Sequence, residues 1–129
     1  MAVTSGTVHS VDTLMSDSVD SLQVARVLFT MSSSDTYAQA DNSKLASVAT
    51  LIQNSRRNGK TVTLVDVMRG QHATKSSDPT AIMSLSTVAI STADVTFALT
   101  DGDETTELAN GAIPAQERPF SILVAFTEA

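Results

Sequence analysis

A chain of 129 residues with 42% hydrophobic and 17% charged side chains has the length and composition of one folded domain, which excludes wholesale disorder. It holds no cysteine, so disulfides, thiolate metal sites and cysteine nucleophiles are removed together, and no apolar run reaches the about eighteen residues of a membrane-spanning helix. The formal net charge is −6; the eight Lys and Arg are scattered, with one tyrosine and no tryptophan, so neither nucleic acid nor a membrane is an expected partner.

Residues 1–20 lack the basic start and apolar core of a secretory signal, so the chain is expected to be made in the host cytoplasm without a secretion signal. Val3, Val8, Val11, Leu14 and Val19 are spaced too irregularly for a helical stripe or a long alternating strand. The segment reads as an extended arm or, alternatively, an edge strand, with one short strand near residues 7–13. Leu22 to Met31 is the first firm strand, apolar on both faces and therefore central or covered. After the punctuation SSSD, Thr36 and Gln39 fit a capping box, with Asp41 or Asn42 as alternative N-caps. Leu45, Val48, Ala49 and Ile52 then make one apolar helical stripe. Arg56 and Arg57 fall in the last turn, and Asn58-Gly59 supplies a left-handed exit.

Thr61 to Met68 is the second firm strand, and strand, helix, strand in sequence permits a crossover between two parallel strands. Residues 69–79 are polar, with Gly70 and Pro79, and read as an exposed loop. Ile82 to Leu85 is a weak strand. Thr87 to Ser91 and Asp94 to Thr100 alternate and suit a hairpin turning at Ser91-Thr92-Ala93. Residues 101–111 form an acidic loop or a single helical turn, and Ile113 to Pro119 is irregular. Phe120 to Thr127 alternates and needs its end docked in a sheet. The spacing thus predicts a single α+β domain over 21–129: a mixed, mostly antiparallel sheet of five to seven strands carrying one amphipathic helix, preceded by the arm.

The residues that bear chemistry form no motif. Asp101, Asp103 and Glu107 resemble a calcium loop, but glycine and glutamate are missing from its sixth and twelfth positions, so an exposed acidic turn is the better reading. His9 and His72 lie in polar segments with no nucleophile elbow, and a serine near a histidine is expected by chance among 17 serines. The five glycines are dispersed, and Gly59-Lys60-Thr61 follows a helix instead of the strand that a phosphate loop requires. No catalytic residue, metal ligand or cofactor is assigned.

Seventeen serines and 17 threonines make about a quarter of the chain hydroxyl-bearing. This acidic, cysteine-free chain rich in Ser, Thr, Ala and Val carries a central segment AQADNSKLASVATLIQNSRRNGK leading into TVTLVDV. It closes with VTFALTDGDETTELANGAIPAQERPFSILVAFTEA. Over most of its length it resembles the small virion proteins of tailed bacteriophages, above all the decoration, or cement, proteins of assembled capsids. The resemblance is one of style, so it transfers no residue. It implies a non-enzymatic structural protein that binds the major capsid protein lattice on the virion exterior as a symmetric homo-oligomer, a dimer or trimer, and reinforces it. The arm valines Val3, Val8 and Val11, with Leu14, are then the candidates for insertion between capsid subunits, because they lack a periodic place in the fold. A head–tail joining or tail-tube protein shares the same features. A small enzyme or ligand-binding domain is the second alternative, to be marked by a pocket converging on His9 or His72 with several acids.

Overall fold

The computed structural model describes residues 7–15, 22–32, 34–40, 42–102 and 105–129, without the side chains of Leu14 and Met15. Among these residues the chain runs through β1 (Thr7–Met15), β2 (Gln23–Thr30), β3 (Thr36–Tyr37), β4 (Ser43–Leu45), α1 (Val48–Arg56) and β5 (Val62–Arg69). It continues through β6 (Ala73–Lys75), β7 (Asp78–Ser91), β8 (Asp94–Asp101), β9 (Gly111–Ala112), β10 (Gln116–Arg118) and β11 (Phe120–Glu128). The α+β class read from the sequence holds. The strands divide among a four-stranded sheet β1-β2-β11-β5, a five-stranded sheet β10-β6-β7-β8-β4 and the small pair β3-β9, and the pairings are antiparallel.

The alternation in each strand decides which face is buried. In β2, Ala25, Val27 and Phe29 point inward. In β11, Phe120, Ile122, Val124 and Phe126 do the same, and Phe29 stacks on Phe120 with ring centroids 5.6 Å apart. Met83, Leu85, Val95, Phe97 and Leu99 of the second sheet complete one shared core, which Val48, Ala49 and Ile52 of the helix join. The two firm strands of the sequence, β2 and β5, do run in the same direction in one sheet. They are not neighbours, however: both pair antiparallel with β11, which lies between them. The strand that needed its end docked is the centre of the sheet.

The helix begins later than its stripe suggests. Thr36 opens β3 instead of a capping box, Leu45 belongs to β4, and the N-cap is Ser47, in a left-handed conformation with no side-chain cap. The cap comes from the β7–β8 hairpin. The Asp94 carboxylate accepts the Ser47 N–H at 2.8 Å and the Lys44 ammonium at 3.1 Å, and the Ala93 carbonyl accepts the Ala49 N–H at 3.1 Å. The Ser47 N–H, with Lys44 behind it, holds the Asp94 carboxyl below the usual range. Asp94→Ala should therefore cost about 1–2 kcal/mol in urea unfolding, the size of a lost cap with its ion pair. At the other end Arg57, not Asn58, takes the left-handed C-cap position, its N–H bonded to the Gln53 carbonyl.

Two stretches read as irregular contain strands. The supposed loop 69–79 holds β6 and the start of β7, and Ile113–Pro119 holds β10, which pairs with β6. Ile82–Leu85 and Thr87–Ser91 are one long strand, interrupted by a register shift between Leu85 and Thr87 that breaks the alternation. The hairpin at Ser91 to Asp94 is as expected, with Thr92 at φ 57° in the turn.

Candidate functional site

The arm segment is, from Thr7 on, the edge strand β1. Its register on β2 shifts between Val8 and Ser10 and again between Thr13 and Met15. The first shift lets Val8 and Val11, three residues apart, both face inward, opposite Phe29 and Val27, where they are half-buried against the core. Their irregular spacing thus records a bulge, and the reason for assigning them to a partner falls away. Leu14 sits at the second shift with its side chain outside the described residues, and Val3 lies outside them altogether.

The opposite, outward face of the same sheet was not singled out by the sequence. Cross-strand register aligns Arg26, Leu123 and Met68 in one row, and Val24, Ala125 and Asp66 in the next. Val24, Leu123, Ala125 and Met68 border a shallow apolar depression of about 100 Å³. Met68 is 59% exposed, and Val65 and Leu22 are each 52% exposed. Val65 is the extra residue of a bulge in β5, which turns an additional apolar side chain to solvent. The rim is polar, with the exposed ion pair Arg26–Asp12 at 3.4 Å on one side and Asp66 on the other. An apolar centre within a charged border is the anatomy of a contact surface.

A second feature is a polar cleft of about 380 Å³ walled by Arg69, His72, Ser84, Ser86 and Thr100. β5 ends at Arg69, whose Nη1 donates to the carbonyls of Leu85 at 3.3 Å and Ser86 at 3.2 Å and so ties β5 to the interrupted stretch of β7. Ala73 pairs with Met83 and Ser84 with Thr100, which places His72, Ser84 and Thr100 in one row across three strands. Among the described residues the walls of the cleft hold His72 and no carboxylate.

The other residues that the sequence singled out for chemistry, where described, make contacts within the fold. His9 shares a 2.8 Å hydrogen bond with Thr30 across β1 and β2. Of the acids that resemble a calcium loop, Glu107 accepts the Tyr37 hydroxyl at 2.6 Å and the Ala40 N–H at 3.1 Å, while Asp101 pairs with Lys75 at 2.5 Å. Asp103 lies outside the described residues. No group of three or more His, Asp or Glu able to hold a metal ion occurs among the described residues. Nor is any helix among them long and apolar enough to cross a membrane. Compared with known protein families, curated proteins and solved structures, the chain matches none.

Proposed function

We propose that this chain is a non-enzymatic structural protein of a virion that docks on the outer surface of a bacteriophage capsid lattice and reinforces it. The observation that carries this reading is the apolar outward face of the β1-β2-β11-β5 sheet, bordered by charge and flanked by the edge strand β1. A lattice of repeated subunits offers the same patch many times. A modest apolar contact, repeated by each copy of a symmetric oligomer, gains effective concentration once one copy is seated. Among the described residues no strand pairs with the outer edge of β1, whose main-chain hydrogen-bonding groups a neighbouring strand can meet. The sequence resemblance to decoration proteins supports the same partner.

Particles purified from the source of the gene and sedimented through a density gradient should carry this chain in stoichiometric numbers, and the native mass of the free protein should be that of a dimer or trimer. A monomer missing from every particle fraction would overturn the reading. A six- or twelvefold ring in solution would point instead to a head–tail joining or tail-tube role. Met68→Lys places a charge at the border of the apolar depression. It should weaken particle binding about tenfold or more while changing unfolding stability by less than about 0.5 kcal/mol, because Met68 is mostly solvent-exposed.

A further inference from the structure

We propose that the cleft walled by Arg69, His72, Ser84, Ser86 and Thr100 is a binding site for a small hydroxylated oxyanion, a sugar acid or sugar phosphate. Its volume of about 380 Å³ falls among ligand sites, which run from about 300 to 1,000 Å³. The inference stands apart from the docking face, because the cleft is built from the β5–β6 connection, β7 and β8.

The walls divide into donors and acceptors. Arg69 spends its two Nη1 hydrogens on the Leu85 and Ser86 carbonyls, which fixes the guanidinium plane before any ligand arrives. Its Nε and Nη2 hydrogens take no further acceptor among the described residues, and they form the fork that suits a carboxylate or phosphate. The His72 ring and the Ser84 hydroxyl likewise have no partner among the described residues, so both are available to a ligand oxygen. Ser86 Oγ donates to the Ala98 carbonyl and Thr100 Oγ1 to the Ser84 carbonyl, each at 3.3 Å, which commits their hydrogens and leaves oxygen lone pairs. Thr100 is 4% exposed, so its oxygen has little contact with bulk water.

A small inorganic anion satisfies the donors but brings the two hydroxyl oxygens at most the one or two hydroxyls of a hydrogen phosphate, with no carbon frame to place them. A neutral sugar satisfies those oxygens and leaves the charged guanidinium without a counter-ion. An anion that also carries hydroxyl groups meets both demands. No carboxylate among the described residues lines the walls to oppose it, although the chain as a whole is acidic at net −6.

The test titrates the full ¹⁵N-labelled chain with glucuronate, glucose 6-phosphate, glucose and inorganic phosphate at fixed ionic strength. Glucuronate or glucose 6-phosphate should produce saturable amide shifts centred on Gly70, His72, Ser84, Ser86 and Thr100. Glucose and phosphate should bind about tenfold more weakly or less, each losing one set of contacts. Comparing the two anions tells a carboxylate site from a phosphate site. His72→Ala and Ser84→Ala remove side chains that hold nothing else in place. Both should keep the native spectrum elsewhere and weaken binding about tenfold or more. The proposal is overturned if neither anion gives saturable shifts, if the shifts spread over Lys and Arg of the whole surface, or if both variants bind as the parent does. Inorganic phosphate binding as tightly as glucose 6-phosphate would remove the hydroxyl half of it.

Discussion

Glu128→Gln should lower the unfolding free energy by about 3 kcal/mol near neutral pH, the cost of opening a buried ion pair. The carboxylate is 4% exposed and sits at the junction of three elements. Gln23 of β2 donates to its Oε1 at 2.6 Å. Arg56 of α1 donates to Oε1 at 2.9 Å and Oε2 at 3.3 Å, and Asn58, just past the helix, donates to Oε2 at 2.7 Å. These bonds, Arg56 first, outweigh the cost of burial and hold the Glu128 carboxyl down to about 2, from an ordinary 4.5. The folded state therefore binds the proton less readily than the unfolded chain. The stabilisation is fully present above about pH 4.5 and is lost as pH falls through about 2. Urea unfolding of both proteins across this window gives the check. The gap between them should be widest at pH 7 and should close toward pH 2. A gap that stays constant would mean that the variant acts through packing and not through the charge.

Gly70→Ala should destabilise the protein by about 3 kcal/mol, at the upper end of overpacking costs. The first residue after β5 lies directly against β11. A Cβ at this position would stand 2.0 Å from Ser121 Oγ and 2.7 Å from the Ser121 carbonyl oxygen. The same contact holds three hydrogen bonds: Gly70 N–H to the Ser121 carbonyl at 2.8 Å, Gln71 N–H to Ser121 Oγ at 2.6 Å, and Ser121 N–H to the Gln71 carbonyl at 3.1 Å. A hydroxyl can rotate away, but the backbone oxygen moves only if β11 does. Adding Ser121→Ala to the Gly70→Ala chain should consequently recover only part of the loss. Full recovery in thermal or urea unfolding would show that the hydroxyl alone was in the way.

Much of the fold was legible because local alternation carried it. In Gln23–Thr30 and Phe120–Glu128 the apolar positions recur with period two, and Val48, Ala49 and Ile52 recur with the period of a helix. What escaped the sequence was non-local. The helix start was misplaced because its cap is Asp94, on the hairpin behind it, while the nearer Thr36 looked like a better partner. Arg56 read as a counter-charge to the helix dipole, yet its partner is Glu128, at the far end of the chain. Val8 and Val11 looked homeless because a register shift in β1 hides an ordinary inward face. The apolar outward face is written in the second set of alternating residues of β2 and β11, and two apolar faces per strand predict a cover on both sides that the described residues do not supply. The cleft at Arg69 carries no signature, since its walls come from three stretches of chain that only the sheet register brings together.

The position of β11 between β2 and β5 also dictates the order in which the molecule can be completed. Without Phe120–Glu128, β2 and β5 are two half-walls separated by a strand-wide slot, each with its inner edge unsatisfied. The last segment acts as a keystone. Its insertion closes the longest loops in the chain in one event, so assembly should be slow and all-or-none, and any delay leaves open a slot that a like strand from a neighbouring copy can fill.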